Sequence, residues 1–513
     1  MTFNFLWSIF CRLGQISIES SSTLVVGLVV AAILKNMVGS EGTRKLFGGD
    51  NLNGLFRAWV IGSLLPVCSI GVIPVAFALR RAGVPSSTIL SFVLAAPQLN
   101  PLSLLYGLTL SDPLIVIFFI IATMIIAILG GEIWKRFFET KEDNIIILDD
   151  ITPVSGLKRL LSVLFTSSSE LVSINFLFIA TGLLFTGLVS GLLPYGIFSN
   201  TMRHHDIFSP LLMTLFSFPS YLGVLPGMMK VGLIFEHGNS VGAGFILFEF
   251  GVGFNLGLLF FLGYIYGWKR ISLWVFIIIL FSLGIAYSIE YPLYFAKEEI
   301  NHTHAFDEWN SPFSSETVVN WEMVSNKISQ KIEVLEPFAL ALLFIFISIG
   351  LLSKFNGLEE KINIWLVMKP NVENIKKGSL DIEVPNVVLG IVSLLVLILF
   401  SFVALFIYYP APKEAFSEIV KVRTNSLVAI RTNHKEEAIR QIQQWDLLTR
   451  KLQVGIFLRT GILDPEVSKL IDQLREDLEE TRDFLIADNK EEAVKMISRI
   501  EQSYQNCKKI ILK

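Results

Sequence analysis

The sequence predicts an all-α polytopic membrane protein. It would have two inverted repeats with re-entrant hairpins and broken helices, followed by a C-terminal soluble four-helix bundle. Three observations predict this. Over 513 residues the chain is 52% hydrophobic with a mean hydropathy of +0.60, more apolar surface than a soluble core can hide. Prolines interrupt apolar stretches that would otherwise cross a bilayer, notably Pro66, Pro74, Pro97 and Pro101 within residues 64–101. Beyond Tyr409 the chain turns hydrophilic, with apolar residues at helical spacing.

Taken in order, residues 1–21 lack the basic start and small-residue cleavage site of a signal peptide and read as an interfacial segment. Residues 22–134 form a first repeat, with apolar segments at 22–38, 55–81, 86–110 and 112–134. A polar linker, 135–170, leads to a second repeat over 171–290, with segments at 171–195, 209–236, 240–267 and 272–290. An acidic loop, 291–335, precedes two additional spans within 336–409.

Laying residues 64–101 on 218–256 reveals the repeat. Gly83 and Asn100 are 17 residues apart, as are Gly238 and Asn255, and each glycine follows a proline pair, Pro66 and Pro74 or Pro219 and Pro226. Full crossing by all ten segments would divide Lys and Arg almost evenly between the two faces. If 55–81 and 209–236 are re-entrant, then Arg44, Lys45, Arg57, Arg80, Arg81, Lys135, Arg136, Lys158, Arg159, Lys269, Arg270, Lys354, Lys361, Lys369, Lys376 and Lys377 fall inside. Arg12, Arg203, Lys230, Lys297, Lys327 and Lys331 fall outside, the two halves become inverted, and the tail lies outside the cytoplasm of a plasma (inner) membrane.

The tail, 410–513, carries a second duplication, NHKEEAI from Asn433 and DNKEEAV from Asp488. Asn433 and Asp488 are expected to cap helices whose first turns hold Glu436, Glu437, Glu491 and Glu492. Docking of a partner protein, homo-oligomerisation and plain stabilisation are all open roles for it. Cys11, Cys68 and Cys507 form no CxxC pair, so neither a disulfide framework nor a zinc site is expected. The chain holds no Walker A or HExxH motif, which argues against ATP-driven or zinc-dependent hydrolytic chemistry. No cofactor and no nucleic-acid partner is expected; the partners are the bilayer and a small-molecule or ion substrate.

Broken backbone at membrane depth exposes polar groups where protein or a water-filled cavity satisfies them, so the breaks mark the expected substrate path. Cys68, Ser69, Gly71 and Pro74 lie at the first break. Cys68 can ligate a soft metal or metalloid, or serve as a small hydrophobe. Gln98 and Asn100 sit in the break of the next span, and Gly253 and Asn255 hold the corresponding place in the second half. Their amides both donate and accept, which suits a neutral or weakly charged solute. Glu249 is an acid deep in apolar sequence, either a coupling residue or the structural partner of Lys230. His302, His304 and Asp307, with Glu308, form a weak metal pattern in the acidic loop, and a solvated loop is the plainer reading. His204, His205 and Asp206 earn the same reading, and Asn301 begins a glycosylation sequon.

With Arg44, Lys45, Gly48, Gly49, Pro66, Cys68, Ser69, Gly71, Pro74, Arg80, Arg81, Gly83, Pro97, Pro219, Pro226 and Gly238 in place, the chain resembles the predicted permeases that include bacterial organoarsenical efflux permeases. The resemblance covers residues 20–290. It implies export of a metal, metalloid, organoarsenical or other small solute by a secondary transporter working through alternating access. Many members carry Cys-Ser-Cys-Gly at the first break, whereas this chain has Cys68-Ser69-Ile70-Gly71 and one thiol fewer. A receptor or assembly subunit with a permease-like body, and a channel, are the alternative readings.

Overall fold

The first helix, α1, runs unbroken from Thr2 to Ile33. It belongs to a computed structural model that describes residues 2–99, 113–140, 143, 157–194, 197–198, 201–236, 238–294, 309–313, 318–329, 332, 336–355, 361–362, 364–365 and 385–512. The boundary expected at residue 21 therefore falls inside a helix. Polar residues of this first part are buried against a distant segment. Ser8 Oγ meets Ser311 Oγ at 2.8 Å, the Arg12 guanidinium donates to the Asn310 carbonyl at 2.8 Å, and the Gln15 amide donates to the Lys327 carbonyl at 3.0 Å.

Helices account for the regular structure; among the described residues the only β-pairing is an isolated bridge between Arg203 and Asn239. After α1 the body contains α2 (Gly39–Phe47), α3 (Leu52–Leu64), α4 (Val72–Arg81), α5 (Ser86–Ala95) and α6 (Pro113–Phe137). Then follow α7 (Leu157–Leu171), α8 (Asn175–Leu192), α9 (Ser209–Ser217), α10 (Val224–Glu236), α11 (Val241–Ile246), α12 (Leu256–Tyr266) and α13 (Trp268–Ile289). Among the described residues, α14 (Trp321–Ser329), α15 (Glu336–Phe355) and α16 (Asn386–Tyr408) come next. Among the described residues five helices are long and apolar enough to cross a membrane, and a sixth span arises if α11 with its π-helical extension and α12, bent by 59°, count as one.

The proline-bearing segments break where the sequence says they should. Leu65 is extended (φ −85°, ψ 127°) because Pro66 disfavours the helical region for the residue before it, and α3 stops. Pro74 lies in the first turn of α4, where its missing N–H would have no helical partner. Gly83 and Gly238, at φ 77° and 64°, close the two hairpin segments in backbone that only glycine adopts without strain.

Two clusters of contacts mark opposite ends of the body. In one, Lys135 pairs with Asp50 (3.3 Å), Arg81 with Glu170 (2.8 Å), Arg270 with Asp143 (2.7 Å), and Ser86 donates to Glu139 (2.8 Å). In the other, His204 meets Glu290 (2.9 Å), Ser240 donates to Glu290 (2.9 Å), and the Ser311 N–H donates to the Leu193 carbonyl (2.7 Å). The pair α3–α4 starts beside Asp50 and ends at Arg81, both in the first cluster. The pair α9–α10 starts at Ser209, whose hydroxyl donates to the Arg203 carbonyl, and ends next to Asn239, bridged to Arg203, both in the second.

The chain from Phe400 onward forms a separate compact unit. Its helices α17 (Pro412–Arg431), α18 (Lys435–Thr460), α19 (Pro465–Ile486) and α20 (Lys490–Ile511) share a core that includes Ile419, Ile442, Trp445, Leu478, Ile500 and Tyr504. Asn433 and Asp488 do not cap the helices that follow them. They take left-handed backbone (φ 60° and 61°) and close the helices before them, and the caps pass to His434 and Asn489. The turn between antiparallel helices needs one left-handed residue, and Asn and Asp tolerate that conformation better than most.

Candidate functional site

At the first break, residues 65–71, Cys68 Sγ accepts a hydrogen bond from the Gly71 N–H at 3.3 Å, which curls the chain into a tight turn. Cys68, Ser69 and Ile70 are all fully buried. The turn leans on α1. A Cβ at Gly27 would collide with the Gly71 carbonyl, so glycine at 27 is what allows the approach. The Ser69 hydroxyl has no hydrogen-bond partner among the described residues.

The second break, residues 218–223, is held from two sides. The Tyr221 N–H donates to Thr186 Oγ1 on α8 at 2.7 Å, and the Leu222 N–H donates to the Gly251 carbonyl at 2.8 Å. The Tyr221 phenol is buried and faces Cys68 and Thr23, so the two breaks meet.

The broken spans meet as well. Beyond α5 the helix dissolves at Ala96–Leu99, and the Gln98 side chain donates to the Glu249 carbonyl at 3.1 Å. Glu249 belongs to a π-helical stretch, Leu247–Val252, of the kind that often marks a functional position. Widening the helix by one residue per turn frees the carbonyl that Gln98 takes. Gly253 makes room for it, because a Cβ there would strike both the Glu249 carbonyl and the Gln98 amide. The Gln98 amide also hydrogen-bonds the Glu249 carboxyl.

Asn255 is extended (φ −165°, ψ 164°) and caps α12, its Oδ1 accepting from the Leu258 N–H at 3.0 Å. Its oxygen lies against Gly182 and Gly257, so its first task is to restart the helix after the break. Leu99 and Phe248, the chain neighbours of Gln98 and Glu249, share a small apolar crevice with Phe119, Met228 and Phe235.

Cys68, Ser69 and Gly71 thus share one break, Pro74 starts the helix after it, and Gln98, Glu249 and Gly253 share another contact. Asn100, His302, His304 and Asp307 lie outside the described residues, as do Asn301 and Glu308. His204 is engaged with Glu290 and stacks on Tyr294 at 3.5 Å between ring centroids. No three His, Cys, Asp or Glu side chains gather to hold a metal among the described residues. Sequence reasoning missed Thr23 and Tyr221, which meet the first break.

A family model described as a predicted permease matches residues 7–291 of the chain. A stretch of 90 residues is 28% identical to the UPF0718 protein YcgR of Bacillus subtilis (strain 168), covering 18% of this chain and 31% of that protein. The chain thus spans about a third of the length of that curated relative. No solved structure matches.

Proposed function

We propose, on the premise that this chain belongs to the predicted permease family, that it carries a small solute across the membrane by alternating access around its two breaks. The observation that carries the reading is the contact between broken spans, in which Gln98 of the first half reaches Glu249 across Gly253 of the second. Backbone freed from helical bonding at that point can serve a solute or be re-satisfied by protein, which is what a site that opens alternately to two sides requires. The α3–α4 and α9–α10 pairs act as re-entrant hairpins of inverted halves, a reading supported by the opposite clusters to which their ends return.

The same reading puts the cluster with Arg81, Lys135 and Arg270 in the cytoplasm and the membrane at the cell surface, following the bias of basic residues. On the same count the chain beyond residue 409 lies outside the cytoplasm, where it can dock a partner protein or a second copy. Export of a metal, metalloid or organoarsenical follows from the family resemblance. A lone Cys68 at the first break supports a thiophilic cargo, held by one sulfur and not two.

The test is flux through the purified full chain in proteoliposomes, across a panel of soft metals, trivalent organoarsenicals and small anions. Wild type is expected to give saturable flux, and Gly253→Ala to lower it at least about tenfold, equivalent to ~1.4 kcal/mol on the barrier. Loss of flux in Cys68→Ser would place the thiol in the path. Flux that never saturates would make the protein a channel, and no flux for any solute would favour a receptor.

A further inference from the structure

Glu249 sits where the two broken spans meet, and its polar groups are served unequally. Its carbonyl takes the Gln98 side chain at 3.1 Å, whereas its carboxyl oxygen Oε2 is buried with no hydrogen-bond partner among the described residues. The residue is 2% exposed. It stands nine positions beyond Ser240, which is tied to Glu290 at one end of the body, roughly 13 Å at ~1.5 Å per residue. Across about 30 Å of hydrocarbon that distance is close to half the thickness. A carboxylate held there with one oxygen unserved is costly, so the position calls for something that neutralises it.

The surroundings narrow what that is. The carbonyls of Glu249, Phe250 and Gly251 already accept from the Gln98 amide (3.1 Å), the Phe254 N–H (2.9 Å) and the Leu222 N–H (2.8 Å). A hard metal ion needs several oxygens turned to one point, and here the backbone oxygens are committed to protein donors. No three His, Cys, Asp or Glu side chains gather for a softer one among the described residues. A proton needs a single oxygen. The helices packed against Leu247–Val252 are α9, α10 and α11. Of these α9 and α11 hold no charged residue, and α10 carries Lys230 in its middle and Glu236 at its end. Tyr221 is the titratable neighbour of Leu222, and the 309–313 segment, whose Trp309 lies near Gly251, holds no charged residue. In α6, whose Phe119 ring meets Phe248 at 5.5 Å, the charged residues Glu132, Lys135 and Arg136 lie in the last two turns.

We infer that the Glu249 carboxyl binds and releases a proton at the contact between the two broken spans, and that this proton is the coupling ion of transport. The acid and the carbonyl that holds Gln98 belong to one residue, so a change at the contact is a change in the surroundings of the carboxyl. Opening the contact towards one compartment admits water to Oε2 and lets the proton exchange with that side; closing it traps the proton until the other side opens. Gly253 sets how tightly the contact closes, because a Cβ there would meet both the Glu249 carbonyl and the Gln98 amide. The coupling role rests on the transport reading; proton binding does not.

The experiment is infrared difference spectroscopy of the full chain in nanodiscs, stepped in pH with no solute present. A protonated-carboxyl C=O stretch should grow as the pH falls. It should be lost in Glu249→Gln, persist in Lys230→Met, and shift its midpoint in Gly253→Ala, where the added methyl displaces Gln98. If Glu249→Gln does not fold, judged by its amide bands, Glu249→Asp should keep a displaced carboxyl band. Carboxyl bands unchanged in Glu249→Gln, or a midpoint unmoved in Gly253→Ala, would overturn the proposal. A band seen only once Lys230 is replaced would overturn it in favour of an ion pair, and suppression of the band by sodium ions at constant pH in favour of a sodium site. In proteoliposomes, whichever panel solute wild type carries should move uphill under an imposed pH gradient; flux indifferent to the gradient would overturn the coupling role. Absence of flux for every solute would sink the transport reading while leaving the band in place.

Discussion

Asp446 ties together two helices of the C-terminal unit. Its carboxylate takes Arg450 Nε at 2.9 Å and Arg475 Nε at 3.1 Å, and both arginines are buried. Burial pushes the carboxyl up, but the two guanidiniums outweigh it and hold Asp446 below its ordinary value of 3.8. A depressed carboxylate contributes stability that is fully present above its unfolded value and lost as pH falls through the folded one. Hydrogen exchange in α18 and α19 of the full chain should therefore hold steady at neutral pH and rise below about pH 4. Asp446→Asn should cost about 3 kcal/mol at neutral pH, since it strands two buried guanidiniums, and should flatten that acid response. Residues of this kind were only partly legible. Gln98, Glu249 and Gly253 stood out because a polar or flexible residue in an apolar run has few ordinary reasons to be there. Tyr221 and Thr23 did not, because both residue types are common in spans. The pairing of Asp446 with Arg475 joins residues 29 apart on separate helices, which no local pattern reveals.

At the scale of elements, the contact between α1 and the first break is the most sensitive joint. Gly27 allows the Gly71 carbonyl within van der Waals distance of the α1 backbone, and any side chain there must push the break away. Gly27→Ala should lower the thermal stability of the purified protein by roughly 1–3 kcal/mol, as overpacking does. Helix content by circular dichroism should stay unchanged, because alanine is the better helix former. A variant as stable as wild type would mean that the break does not lean on α1. The breaks themselves were readable from Pro66 and Pro219, since proline acts through its own ring and the residue before it. The continuity of α1 was not readable. Arg12, Gln15 and Ser8 look like surface residues until the 309–329 segment, nearly 300 positions away, supplies their partners. Tertiary contact at that separation overrides a pattern that, taken locally, ends the span at residue 22.

For the whole body the argument turns on which end each element returns to. The first hairpin pair begins and ends beside the cluster built on Asp50, Lys135, Arg81 and Glu170, and the second beside Arg203 and Asn239. A carboxylate receives a serine at the start of the broken span in both halves, Glu139 with Ser86 and Glu290 with Ser240, but at opposite ends. Arg12 and Lys35 are 23 residues apart on one continuous helical run, roughly 35 Å at ~1.5 Å per residue, a little more than the hydrocarbon of a bilayer. The two clusters are therefore far enough apart to face different compartments. Asn53 is exposed near the first, and Ile207 is 68% exposed near the second. The three native cysteines are buried, so the unaltered chain is the blank for thiol labelling. A membrane-impermeant maleimide should react with Asn53→Cys only from the cytoplasmic side and with Ile207→Cys only from the opposite side. Reaction of both from one side would mean that the halves are not inverted. The hairpins would then open to a common face, and a site between them could not be reached alternately from two.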